Sequence, residues 1–154
     1  PDALLKQLDV VIVSVHSAFR QPSGRMTGRI LDALDHPRVH ILAHPTARLL
    51  GSRPPVDFDY PRILERAARR GVALELNGSS LRLDLNAPMA RLAHQAGCLL
   101  SIASDAHSAS HLSDVRFAIL QARRAWLPAS ALLNTWPTAD LLRWLRQRIP
   151  LPSP

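Results

Sequence analysis

Four stretches of this chain share one layout, an apolar run of strand length that closes on a side chain able to hold a metal ion or a phosphate. They are Leu8–His16, Val39–His44, Val72–Asn77 and Cys98–His107. The segments between them carry apolar residues at helical spacing, so the chain reads as a strand-helix unit repeated four times. Such alternation predicts a parallel sheet with crossover helices. Polar residues at the C-terminal ends of parallel strands predict a site where those ends converge. Each unit takes roughly 30 residues, whereas a complete eight-unit barrel needs about 250. The chain has 154 residues. The expected fold is therefore α/β, as an open three-layer domain or as the C-terminal part of a barrel.

The helices follow from local signals. Met26, Ile30, Leu31 and Leu34 predict a helix over 24–34 with Ser23 as its N-cap. Ile63, Leu64 and Ala67 predict one over 60–70, stopped by Gly71. Asn86-Ala87-Pro88 opens a third, running to Gly97. Two more are expected over 112–125 and 138–148, with Ala131–Asn134 as a candidate fifth strand. No linker divides the chain, so residues 1–149 are expected to form one partial domain, with 150–154 as a tail.

Composition narrows the function. Hydrophobic residues make up 47% of the chain, enough for a core. No apolar run approaches the roughly 18 residues that a membrane span requires, so no membrane partner is expected. Pro1-Asp2-Ala3 offers neither a start methionine nor a signal pattern, which predicts a segment cut from a longer protein. The one cysteine, Cys98, lies in an apolar run. It excludes an internal disulfide, reads as a core residue, and fits a reducing cytoplasm. The formal net charge is +7, and 18 of the 19 basic residues are arginine. That balance suits a polyanionic partner such as nucleic acid, or simply a solvated arginine-rich surface. There is no Gly-x-x-x-x-Gly-Lys, Gly-x-Gly-x-x-Gly, Gly-x-Ser-x-Gly or Cys-x-x-Cys. Nucleotide-switch, serine-hydrolase and zinc-finger chemistry fall away with them.

The densest local signal is Ser104-Asp105-Ala106-His107-Ser108. A carboxylate and an imidazole two residues apart on a turning backbone can reach one cation, although a turn with an Asp cap explains the same residues. His16 and His44, each ending its own strand, strengthen the metal reading. His36, His40, His94 and His111 read as structural. Arg48 and Arg53 lie in the loop after His44, and a guanidinium there can bind phosphate. Glu75 alternates with Leu74 and Leu76, which points it to the other face of the sheet, where a buried carboxylate needs a partner. Arg82 and Asp84 can form a local salt bridge.

Taken in order, Ser14–Ser17, His44-Pro45-Thr46 with Arg48–Leu50, Glu75–Asn77, Arg82–Leu85, Ser104–Ser108, Ala122–Arg124 with Trp126-Leu127, and Leu133–Thr135 resemble the PHP (polymerase and histidinol phosphatase) phosphoesterases. The likeness is to the C-terminal half of the PHP domain in bacterial family X DNA polymerases. It implies the C-terminal part of a distorted (β/α)7 barrel holding divalent ions, manganese or zinc. It also implies metal-assisted 3′-5′ exonuclease chemistry on DNA ends, with no side-chain nucleophile. Position by position, His16, His44, Asp105 and His107 match metal ligands at the catalytic centre, and Arg48 matches a contact to substrate phosphate. Glu75 and Asn77 match residues that support the ligands. The family's opening His-x-His strand has no counterpart here, so the polymerase core and the first barrel half are expected partners in a parent chain. The segment alone is expected to be weak or inactive. A phosphatase of a small phosphomonoester such as histidinol phosphate, and a non-catalytic DNA-tethering module, are the alternatives.

Overall fold

The computed structural model describes residues 2–147 and contains one four-stranded parallel sheet in the order β1-β2-β3-β4. The strands are β1 (Ile12–Val13), β2 (Ile41–Leu42), β3 (Ala73–Asn77) and β4 (Leu100–Ala103). A short α1 (Asp2–Leu5) leads in. The crossover helices are α2 (Ser23–Asp35), α3 (Tyr60–Arg70) and α4 (Ala87–Gln95), and α5 (Val115–Arg124) and α6 (Thr138–Arg146) follow β4. This is the expected α/β architecture of part of a PHP-type barrel. The tail from Pro150, with Arg148 and the domain end at residue 149, lies outside the described residues.

Local chemistry accounts for the best-matched elements. Asp59 caps α3 by accepting from the Arg62 N–H, and Gly71 closes it in the left-handed conformation at φ 62°. Asn86 caps α4 by accepting from the Met89 N–H. Ser23 departs from expectation, because it is the first residue of α2 and the preceding Pro22 is the uncapped N-cap. Met26, Ile30 and Leu34 of α2, Ile63 of α3, and Leu42, Leu74, Leu76 and Leu100 of the sheet are fully buried in one core. Cys98 belongs to that core, with its Sγ 3.4 Å from the Leu64 carbonyl and burial pushing the thiol up to about 12. Ile41, Ala73 and Leu133 form a smaller cluster with Trp136, Leu141 and Trp144.

The remaining departures have physical causes. Leu8–His16 pairs only at Ile12 and Val13 because β1 is an edge strand with β2 as its one neighbour. Val11 and Val15 are buried, while Leu8, Val10 and Ile12 are exposed. The chain leaves β4 at Ala103 because Asp105 takes φ 54°. The helix expected from Leu112 starts at Val115, after a 3-10 turn over Ala109–Asp114. Asp114 is pinned against Gly78, where an added Cβ would fall 2.3 Å from the Asp114 carbonyl oxygen, so only glycine admits the approach. Ala131–Asn134 is not a fifth strand, since two 3-10 turns occupy it. Leu132 makes a single parallel bridge to Leu100, and the Asn134 amide stands in for a strand. Its Oδ1 accepts from the Ile102 N–H (2.7 Å) and its Nδ2 donates to the Ile102 carbonyl (3.0 Å). One side-chain amide thus satisfies both main-chain groups of Ile102, much as a paired strand would.

Candidate functional site

The strand ends meet unequally. At the end of β2 the chain turns sharply, with His44 at φ 29° and Ala47 at φ 51°. Non-glycine residues are held in this region only where surrounding contacts fix them. Those contacts come from β3 and from the loop after it. Glu75 Oε2 accepts from the His44 main-chain N–H (2.7 Å) and from Asn77 Nδ2 (3.0 Å). Asp84 Oδ2 accepts from both the main-chain N–H and the hydroxyl of Thr46, each at 2.9 Å. Asn77 in turn donates its main-chain N–H to the Asp84 carbonyl (2.6 Å). His44, Thr46, Glu75, Asn77 and Asp84 are all buried. Burial raises the Glu75 carboxyl above its ordinary range and pushes Asp84 up to about 6, each partly offset by hydrogen bonds it accepts.

His44 is the pivot of this frame. Its Nδ1 is buried and has no hydrogen-bond partner among the described residues. Burial first, and then the Arg82 charge, lower its pKa to about 4, so the ring is neutral near pH 7. A neutral imidazole with an uncommitted nitrogen is the form that binds a metal. The His16 ring meets it edge-on, with centroids 5.1 Å apart and planes at 88°. His16 itself is exposed at the end of the edge strand.

The β4 end is arranged differently. Asp105 Oδ2 accepts from Arg82 Nε at 2.9 Å, so Arg82 reaches across to Asp105 rather than forming the local pair with Asp84 that its sequence position suggested. His107 is exposed, and its Nδ1 lies 2.8 Å from the Asp105 carbonyl. The four expected ligands are therefore a His16–His44 pair, an Asp105 held by arginine, and an exposed His107 that contacts the Asp105 carbonyl. Among the described residues, no three His, Cys, Asp or Glu side chains are arranged to hold a metal ion. Arg48 also sits differently from a bare phosphate contact. Its Nε donates to the Arg82 carbonyl (2.7 Å) and its Nη2 to the Leu83 carbonyl, tying two loops together.

Two of the other histidines have structural partners, as expected. His40 accepts from the Val11 N–H at Nδ1 (3.1 Å), and its Nε2 lies 3.1 Å from the Leu145 carbonyl. His36 Nε2 lies 3.2 Å from Asp2 Oδ1. Sequence reasoning missed Thr46 as the partner of Asp84, Arg82 as the partner of Asp105, and the amide pairing of Asn134. All of these residues fall within the stretches that resemble the PHP phosphoesterases, but nothing in the sequence marks which of them pair.

Groups able to bind a cation lie near one another here without being gathered into a three-donor site among the described residues. A buried imidazole nitrogen lacking a partner lies beside a second imidazole, and a carboxylate sits close enough to act electrostatically on His44.

No protein-family profile matches the chain. Individual proteins do. It is 36% identical over 146 residues to the DNA polymerase/3'-5' exonuclease PolX of Bacillus subtilis, a match covering 95% of this chain and 26% of that protein. It is 32% identical over 145 residues to a probable phosphatase of Shewanella piezotolerans, covering 89% of this chain and 56% of that protein. A probable phosphatase of a Thermoanaerobacter species is 28% identical over 144 residues, with 88% and 56% covered. The chain thus spans about a quarter of the polymerase and somewhat over half of the phosphatases. The parallel half-sheet and these relatives support a PHP-type phosphoesterase module. Within that class it resembles the C-terminal half of the PHP domain of a family X DNA polymerase. Among the described residues, no helix is long and apolar enough to cross a membrane.

Proposed function

We propose that the chain is part of a metal-dependent phosphoesterase that trims DNA from the 3′ end, working beside a polymerase in a reducing cytoplasm. The observation that carries the reading is the buried, unpartnered His44 Nδ1 next to His16. His16, His44, Asp105 and His107 would hold a divalent ion, manganese or zinc. When bound, that ion supplies positive charge to the phosphoryl oxygens. The chain's own residues do the positioning. Glu75, itself held by Asn77, fixes the His44 main chain, while burial keeps the His44 ring neutral. Arg82 sets the direction of the Asp105 carboxylate. Arg48 braces the loop beside it through the Arg82 and Leu83 carbonyls and would offer its remaining guanidinium donor to a substrate phosphate. The net charge of +7 favours a polyanionic substrate.

The test is digestion of a 3′-labelled single-stranded oligonucleotide with added Mn²⁺. Metal-dependent shortening by the folded chain, lost in Asp105→Ala, supports the reading. Cleavage that survives Asp105→Ala contradicts it, and no cleavage by folded protein means that ligands outside this chain complete the site. A second reading, a phosphatase of small phosphomonoesters, is favoured by the names of the phosphatase relatives. Faster turnover of p-nitrophenyl phosphate than of DNA ends would select it.

A further inference from the structure

The strands that end in His16 and His44 run on into two loops, and these loops wall a groove. One wall includes Phe19 and Arg20; the other includes Arg53, Pro54, Pro55 and Asp57. The groove measures about 830 Å³. Sites that take small organic ligands run from about 300 to 1,000 Å³, so there is room for nucleotide-sized groups.

Both walls are held in place. Arg29 Nη1 donates to the Ser17 carbonyl (2.8 Å), and Gln21 Nε2 donates to the Ala18 carbonyl (3.0 Å). On the other side the Val56 N–H donates to the Thr46 carbonyl (2.9 Å), and Leu49 pairs with Arg53 around a turn that Gly51 makes at φ 73°. Across the groove the Arg53 guanidinium lies 3.8 Å from the centre of the Phe19 ring, and its Nε donates to the Ala47 carbonyl (2.9 Å). A guanidinium fixed by an aromatic face and a carbonyl gives up little freedom when it binds an anion, and its Nη groups are the donors left for one. Arg20 is exposed on the first wall and adds a second positive charge, while Asp57 is the carboxylate that opposes them.

We propose that this groove carries a single-stranded polynucleotide toward His16 and His44, with Arg53 and Arg20 contacting successive backbone phosphates. This deepens the exonuclease reading and rests on it. A site for a small phosphomonoester needs one phosphate pocket. Two arginines, one on each of the loops that follow His16 and His44, suit a chain of phosphates.

The experiment is fluorescence anisotropy of a labelled 15-nucleotide oligothymidylate bound to the wild-type chain and to Arg20→Ala and Arg53→Gln. Each is titrated at several salt concentrations, with thermal unfolding to confirm folding. On single strands the slope of log K against log salt falls by about 0.7 for each phosphate that the protein no longer neutralises. Each variant is expected to weaken binding at low salt and to lower the slope by that amount. Wild-type binding whose slope neither folded variant changes overturns the groove while leaving the exonuclease reading standing. A folded wild-type chain that hydrolyses p-nitrophenyl phosphate yet does not bind the oligonucleotide overturns both. No oligonucleotide binding by folded wild-type protein under any of these salt conditions also overturns the groove.

Discussion

The inner and outer strand ends differ in how their polar groups are held. At β2 and β3, His44, Thr46, Glu75, Asn77 and Asp84 are buried and cross-linked by hydrogen bonds that join residues up to 38 positions apart. At β1 and β4, His16 and His107 are exposed, and Asp105 depends on one arginine. The difference follows from position in the sheet. A central strand has a neighbour on each side to supply partners, and an edge strand has only one. Half of the site is therefore set before any ligand arrives, while the other half keeps side chains that can turn. Under the proposed reading, the preformed centre would position an ion and the exposed groups at the rim would complete its surroundings.

The sharpest way to break this contrast is to remove the keystone of the inner half. Asp84→Ala leaves the buried Thr46 N–H and hydroxyl without their acceptor. The expected loss is about 3 kcal/mol, read from urea unfolding. A loss no larger than that for Asp105→Ala would show that the inner frame is not the more rigid half.

A comparable effect should appear in the pH dependence of metal-free protein. His44 falls from 6.5 unfolded to about 4 folded, so on acidification the unfolded chain takes up the proton first and stability is lost between those values. Asp84 rises from 3.8 to about 6, so there the folded protein takes up the proton first and acidification stabilises it. Glu75, also raised, adds to the Asp84 side. The opposing contributions leave the wild type shallow across this range. His44→Asn should gain about 3 kcal/mol relative to wild type between neutral pH and pH 4, since one pKa unit is worth about 1.4 kcal/mol. Asp84→Asn should show the steeper acid loss. Identical profiles for the two variants would contradict the burial of either group.

The smallest effect belongs to the edge of β4. Asn134→Ala removes both amide bonds to Ile102. Because these bonds are exposed to water, a loss of about 1 kcal/mol is expected, with faster amide exchange at Ile102. Unchanged exchange there would mean that the amide does not guard the strand.

Much of the fold is legible because its signals are local. The cap at Asn86, the stop at Gly71 and the buried run Val72–Asn77 each act within a few residues. The sequence around β1 overstates the strand, because an edge strand keeps an apolar sequence even where no neighbour pairs with it. Asn134 reads as strand because its neighbours are apolar, although its own amide does the pairing. In the site, His16 and His44 are found from their place at strand ends. The Thr46–Asp84 and Arg82–Asp105 contacts are not, because they span 38 and 23 positions. They also depend on backbone turns at Ala47, Leu83 and Asp105 that no glycine marks.

The central claim is that the end of β2, with its neighbour β1, is where a divalent ion is held. The most direct test is ¹H–¹⁵N NMR of the histidine rings during substoichiometric Mn²⁺ addition, since a paramagnetic ion broadens the nearest signals first. The account predicts that the His16 and His44 rings broaden first, ahead of His36, His40 and His94. Earlier broadening of those three, or uniform broadening of all the rings, would contradict it.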